Sequence, residues 1–148
     1  MIPPSARETV DATIARAAAW SRRSHHRAVA VLIVDVDGDA TELTMLAVAQ
    51  RLGEIWNVAA VRVGDQFVIV STAIRSNFDA VSLAKLVARA LPCPVRIGIR
   101  VARDGTADSE VMLRDAQFAL DEAQRRGETV VIFNRELCLR RCGAEPTE

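Results

Sequence analysis

One segment near the middle of the chain, residues 58–72, constrains the fold more than any other. It consists of two runs rich in β-branched residues on either side of the dipeptide Gly64-Asp65. A Gly-Asp pair between two such runs is typical of the two-residue turn of a β-hairpin. We therefore predict antiparallel strands from Val58 to Val63 and from Gln66 to Thr72. Because an isolated hairpin is only marginally stable in water, the rest of the chain must supply a larger sheet.

The sequence on either side of the hairpin supplies the other elements of that sheet. Ala28 to Val34 is a continuous apolar run, which predicts a buried central strand. Elsewhere apolar residues recur at helical spacing between capping residues and Gly or Pro stops. The predicted elements are, in chain order, a helix over 7–25, the strand over 28–34, a helix over 40–52 that stops at Gly53, the hairpin, a helix over 77–91, a strand over 95–102, a helix capped by Asp108 or Ser109 that runs to Arg126, and a strand over 129–133.

This order of elements is a β-α-β-β-α-β core followed by one α-β unit. It predicts an α+β fold with a ferredoxin-like core, preceded by an N-terminal helix. We expect an N-terminal helix over 1–27, a domain over 28–134 and a C-terminal tail over 135–148, in which residues 135–142 are helical. The first helix carries Val10, Ile14 and Trp20 ahead of the domain, which favours a homodimer or a protein partner that covers them.

Composition narrows the classes of function. The formal net charge is zero, so we expect no general affinity for nucleic acid or for an anionic membrane. We find no membrane-spanning run and no signal peptide, and therefore expect a cytoplasmic location. Three cysteines do not make a disulfide framework. Cys138 and Cys142 could form a zinc site with His25 and His26, although reduced thiols without a metal are the simpler interpretation.

Acidic residues follow the predicted central strand, in the order Asp35-Val36-Asp37-Gly38-Asp39. Ligand sites of open α/β sheets gather at the carboxyl ends of strands, so these carboxylates are candidate metal or nucleotide ligands. The structural alternative is that they form a turn, for which Asp is well suited. The D-x-D-G pattern also occurs in haloacid-dehalogenase phosphatases, although Asp39 stands where they have Thr. That reading makes Asp35 a nucleophile and Asp37 an acid, with Ser71 or Thr72 and Lys85 as their partners.

Four stretches resemble one known family, the GGDEF domains of diguanylate cyclases. Residues 62–67, Arg-Val-Gly-Asp-Gln-Phe, resemble its signature hairpin R-x-G-G-D/E-E-F. Residues 96–102 and 113–127 resemble its S-I-G-x-A strand and its A-D-x-A-L-Y-x-A-K-x-x-G helix, and residues 31–37 resemble its D-x-D strand. The resemblance implies the cyclase-like fold. It also implies a chemistry in which two GTP molecules, one on each subunit of a dimer, are joined into cyclic di-GMP with Mg²⁺ bridging the phosphates.

The sequence departs from the family pattern at the places where that chemistry occurs. By resemblance, Asp35 and Asp65 are the candidate metal ligands, but Gln66 replaces the glutamate that follows Asp65. An amide keeps the shape of the carboxylate and loses its charge and its ability to accept a proton. In the signature hairpin, Arg62 and Phe67 are kept, while Gly64 stands alone where the family has two glycines.

A second departure concerns the recognition of guanine. The family carries F-K-x-x-N-D and G-H-x-x-G-D after its D-x-D strand, whereas this chain is shorter there and has no Asn, His or Lys between Gly38 and Leu52. The family's R-x-x-D inhibition motif is also missing, since residues 54–58 are Glu-Ile-Trp-Asn-Val. We therefore expect a catalytically inactive regulatory or interaction module that needs no cofactor. The alternative is a domain that still binds or weakly hydrolyses a nucleotide with Mg²⁺ at Asp35 and Asp65.

Overall fold

The computed structural model of the chain describes residues 4–23, 28–36, 42–91, 93–103 and 108–134. The predictions for Asp37, Asp39, the zinc site at His25, His26, Cys138 and Cys142, and the helical tail over 135–142 lie outside these residues. The described elements are α1 (Pro4–Arg23), β1 (Ala28–Val36), α2 (Glu42–Trp56), β2 (Val58–Val63), β3 (Gln66–Ile74), α3 (Asn77–Ala90), β4 (Val95–Arg103), α4 (Ser109–Arg126) and β5 (Val130–Ile132).

The five strands form one sheet in the order β2-β3-β1-β4-β5. The pairs β2–β3, β3–β1 and β1–β4 are antiparallel, and β5 runs parallel to β4. This confirms the α+β fold, with a ferredoxin-like β-α-β-β-α-β core and an added α-β unit. The hairpin is also confirmed, because Val63 pairs with Gln66 across the turn and Gly64 adopts a left-handed φ of 64°. A left-handed first residue is what a tight hairpin turn requires.

The sheet is covered on both faces, because successive side chains of a strand point to opposite sides. On one face Leu32, Phe67 and Ile97 pack with the buried residues of α2 and α3. On the other face Val31 packs with residues of α1 and α4, such as Ile14 and Leu120. Each fully buried side chain of this kind contributes about 1.5–3 kcal/mol relative to an exposed one.

The apolar side of α1 is covered within the chain itself. Val10, Ile14 and Ala17 are at most 6% exposed and belong to the same core cluster as the sheet. Of the side chains that suggested an uncovered helix, only Trp20 keeps substantial exposure, at 39%. The premise that this helix needs a second subunit to bury its apolar side is therefore wrong. None of the helices in the described part of the chain combines the length and the apolar character that a bilayer crossing requires.

The caps of α3 and α4 agree with the sequence, whereas α1 begins at Pro4, three residues earlier than predicted, and α2 ends later than predicted. Ser76 caps α3, Asp108 caps α4, and Gly127 ends α4 with a left-handed φ of 70°. The predicted stop of α2 at Gly53 is wrong, because the helix continues to Trp56. It ends at Asn57, whose φ is 49° and whose backbone N–H donates to the Gly53 carbonyl at 2.9 Å. Asn tolerates the left-handed conformation better than other residues with a side chain, so it replaces Gly as the terminator.

Helix α4 lies directly on β4 at Gly98. A Cβ atom at this position would lie 2.2 Å from the Ala116 carbonyl oxygen and 2.3 Å from the Leu120 nitrogen. Only a glycine allows the helix backbone to approach the strand this closely. The contact sets the height of α4 above the sheet, and with it the position of every side chain that α4 presents to β1.

Candidate functional site

The two candidate metal ligands come to the same end of the sheet. Asp35, near the carboxyl end of β1, pairs with Gln66 of β3 on one side and with Arg96 of β4 on the other. Asp65 lies in the hairpin turn, one residue before Gln66. The antiparallel register therefore places two acidic residues that are thirty positions apart in the sequence at the same end of the sheet.

The Asp35 carboxylate already has a partner on α4. The side-chain amide of Gln124 donates to Asp35 Oδ2 at 2.7 Å. Sequence reasoning did not single out Gln124, although a signal was available. When the helix pattern A-D-x-A-L-Y-x-A-K-x-x-G is aligned on Gly127, its lysine falls on Gln124. The cation of the pattern is therefore replaced by a neutral amide that holds the aspartate by a hydrogen bond.

The signature hairpin is built mainly from contacts with itself. Arg62 is exposed, donates from Nε to the Gly64 carbonyl at 3.1 Å, and places its guanidinium 6.0 Å from the centre of the Phe67 ring. Phe67 is 4% exposed and belongs to the core under α2 and α3. Asp65 is exposed at the turn, and the half-buried Gln66 faces the side of the sheet that α1 and α4 cover. Arg62, Gly64 and Phe67 thus stabilise the turn, while Asp65 and Gln66 present polar groups.

Asp35 and Asp65 would supply only part of a metal coordination shell. Mg²⁺ is octahedral and is usually held by one or two carboxylates, with waters and substrate phosphates in the other positions. Among the described residues, no three His, Cys, Asp or Glu side chains are grouped so that they could hold a metal ion. Gln66 and Gln124 are neutral, so neither adds negative charge to balance a divalent cation. The donor set therefore fits Mg²⁺ only if a bound phosphate completes it.

The phosphatase arrangement is not assembled. Ser71 pairs across the sheet with Ala30, near the opposite end of β1 from Asp35, and its hydroxyl donates to the Trp56 carbonyl. Lys85 is an exposed residue of α3 and therefore lies across the sheet from Asp35, which contacts α4. Thr72 accepts a hydrogen bond from Asn57. The prediction that Ser71 or Thr72 and Lys85 act with Asp35 is wrong.

Two ion-paired carboxylates of α4, Asp115 and Glu122, stabilise this helix rather than forming a site. Asp115 is 6% exposed and pairs with Arg100 Nε at 3.0 Å, and the Arg100 guanidinium lies 5.4 Å from the centre of the Phe133 ring. Glu122 is fully buried and is paired with Arg125 at 2.7 Å and with Arg126 at 3.0 Å. These contacts support the segment that carries Gln124.

The connection between β1 and α2 is short. The strand ends at Val36 and the helix begins at Glu42, so only residues 37–41 join them. From Glu42 to Leu52 the helix carries no Asn, His or Lys. The Asn, His and Lys residues that the family pattern carries after its D-x-D strand are therefore missing from this part of the helix.

Comparison with known proteins identifies the fold. No protein-family model and no curated protein matches the sequence. Among solved structures, the GGDEF domain of the YfiN (TpbB) protein of Pseudomonas aeruginosa superposes with a TM-score of 0.72 at 20% identity, covering 94% of each chain. The active GGEEF domain of a diguanylate cyclase from Vibrio cholerae gives a TM-score of 0.67 at 18% identity, covering 86% of this chain and 96% of that one.

A third solved structure carries a ligand. The GGDEF domain of DgcB from Caulobacter crescentus, in complex with c-di-GMP, has a TM-score of 0.62 at 18% identity, covering 85% of this chain and 89% of that one. These likenesses cover 85–94% of this chain. The chain therefore has the fold of the GGDEF domains of diguanylate cyclases.

Proposed function

We propose that this chain is a catalytically inactive GGDEF-like domain that acts as a regulatory or protein-interaction module in signalling by cyclic di-GMP. The fold, shared with cyclase domains, supports the link to this signalling. The inactivity rests on the end of the sheet that carries Asp35. A nucleotidyl transfer there would need carboxylates to hold the metal and to accept a proton from the attacking hydroxyl.

The observation that carries the proposal is the hydrogen bond from Gln124 to Asp35. This bond occupies the Asp35 carboxylate with a neutral group. Gln66, which pairs with Asp35 across the two strands, is an amide where the signature has an acid. Neither amide can serve as a base or offset the charge of a metal. The short connection over 37–41 adds a second deficit, since a pocket that lacks its hydrogen-bonding groups loses several kcal/mol of discrimination for its base.

Activity of the purified chain with GTP and Mg²⁺ tests this directly, with cyclic di-GMP measured by chromatography. An active cyclase domain assayed in parallel serves as the positive control. We expect no product above background, and we expect the double variant Gln66→Glu, Gln124→Lys to remain inactive because the base-reading segment is still missing. Cyclic di-GMP made by the unmodified chain refutes the proposal.

The second candidate is a domain that retains nucleotide binding. The location of Asp35 and Asp65 at one end of the sheet favours it, because a bound phosphate could complete a coordination of Mg²⁺ that such carboxylates begin. It predicts calorimetric binding of GTP, ATP or cyclic di-GMP that needs Mg²⁺ and is lost in Asp35→Ala. Asp121→Ala is the matched control, because Asp121 is an exposed carboxylate of α4, the helix that Asp35 contacts. A flat titration at millimolar nucleotide excludes this candidate and leaves the first in place.

A further inference from the structure

A cleft with mostly apolar walls opens between α1, the hairpin and α4. Its volume is about 550 Å³, within the range of roughly 300–1,000 Å³ that is usual for small-molecule sites. Val10 of α1, Ile33, Val63 and Val68 of the sheet, and Val111 and Leu113 of α4 form its apolar walls. Three separate elements thus contribute to one concave surface, on the face of the sheet opposite α2 and α3.

The signature hairpin places one polar group in this cleft. The side chain of Gln66 is half-buried and lines the cleft, and within the described residues its carboxamide makes no hydrogen bond. Gln117, which also lines the cleft, is already engaged, since its amide donates to Asp121 at 3.0 Å. The amide nitrogen and oxygen of Gln66 keep contact with solvent, because no buried side-chain N or O atom of the described residues lacks a hydrogen-bond partner. Gln66 therefore has both a donor and an acceptor to offer a bound molecule.

The charges at the edge of the cleft cancel. Glu110 and Arg114, four residues apart on α4, line it and carry opposite charges. Glu110 and Arg114 are the charged residues among the described ones that line the cleft, so a charged ligand would lose its hydration there without net compensation from them. This disfavours nucleotides, whose phosphates carry several negative charges, and favours an uncharged molecule.

We propose that this cleft binds a small, uncharged and largely apolar molecule whose hydrogen-bonding group pairs with the Gln66 carboxamide. The site adjoins the sheet end at Asp35, because Gln66 pairs with Asp35 across the two strands, but most of its wall is formed by α1, α4 and apolar residues of the sheet. The proposal also gives a role to the amide that stands where the family signature has a glutamate. At Gln66 a carboxylate would be costly to bury beside an apolar ligand, whereas an amide is not charged.

A fluorescence titration with N-phenyl-1-naphthylamine tests the site, because this probe is uncharged, apolar and carries one N–H donor. We expect a saturable signal with one probe per chain. Val111→Trp fills the cleft and should weaken binding at least tenfold, whereas Leu86→Trp, on the partly exposed side of α3, should leave it unchanged. Gln66→Leu removes the hydrogen bond but keeps the apolar walls, and should weaken binding about fivefold.

Circular dichroism confirms that each variant is folded, and Glu110→Trp, an exposed position at the edge of the cleft, replaces Val111→Trp if the latter does not fold. The absence of saturable binding, or equal binding by the cleft-filling variant, overturns the proposal. Sedimentation provides a second test. A dimer of the unmodified chain and a monomer of the cleft-filling variant would also overturn the proposal, since a second copy of the chain would then occupy the cleft. None of these outcomes depends on whether the domain makes or binds a nucleotide.

Discussion

Replacing Gly98 by alanine should be the most damaging single-methyl change in the described core. The new Cβ would lie 2.2 Å from the Ala116 carbonyl oxygen, 2.3 Å from the Leu120 nitrogen and 2.8 Å from the Leu120 Cα. All three are backbone atoms of α4, so no side-chain rotation relieves the clash. To reach even 3.0 Å from the oxygen, the helix must retreat by about 0.8 Å.

The cost follows from what the helix buries. A radial gap of about 0.5–1 Å removes roughly a quarter to a half of the dispersion energy between the atoms that face it. The residues affected include Met112, Ala119 and Ala123, all at most 1% exposed. Overpacking a core by one methyl group typically lowers the free energy of unfolding by about 1–3 kcal/mol. Because the new methyl group here meets backbone atoms, which cannot rotate away, we expect a loss of about 3 kcal/mol or more. For a domain of this size the melting temperature should fall by about 6–12 °C.

Urea unfolding, followed by the fluorescence of Trp20 and Trp56, measures the change. Gly53→Ala is the matched control, because it adds the same methyl group inside helix α2, where the nearest atom is the Val58 carbonyl oxygen at 3.9 Å. This control should stabilise the protein by about 0.8–1 kcal/mol, since alanine has the higher helix propensity. If Gly98→Ala unfolds within 1 kcal/mol of the unmodified chain, about the error of such comparisons, then α4 does not rest on β4 as described.

Three further substitutions test other contacts, with urea or thermal unfolding as the measurement. Asp108→Ala removes the side chain that accepts from two backbone N–H groups at the start of α4, and should cost about 1 kcal/mol; Asp108→Asn should cost less. Replacing Arg125 and Arg126 together by methionine removes two ion-pair partners of the fully buried Glu122 carboxylate and should cost about 3 kcal/mol, so an unchanged midpoint contradicts the buried pair. Asn57→Ala strains the left-handed end of α2 and should lower the free energy of unfolding by about 1–2 kcal/mol, whereas Asn57→Gly should be better tolerated. Equal losses in the two variants would contradict a left-handed residue at this helix end.

Local sequence signals predicted the elements of this fold because each depends on neighbouring residues. The turn at Gly64-Asp65 requires a residue that tolerates a positive φ, and the cap at Asp108 requires a short acceptor side chain before a helix. The order of the elements then allowed few topologies, which is why the ferredoxin-like core was predictable. The end of α2 was missed for a local reason too, since both Gly53 and Asn57 can terminate a helix, and only the packing decides which of them does.

The sequence alone determined which residues could form turns, caps and strands, and which acidic side chains the sheet would carry at its end. Only the tertiary structure decided which of these side chains meet. Gln124 contacts Asp35 because α4 packs closely on β4 at Gly98. Gln66 lines a cleft because α1 packs on the same face of the sheet. Such contacts join residues that are far apart in the chain, and the free energy that selects them comes from burying both faces of the sheet at once, a property of no single segment.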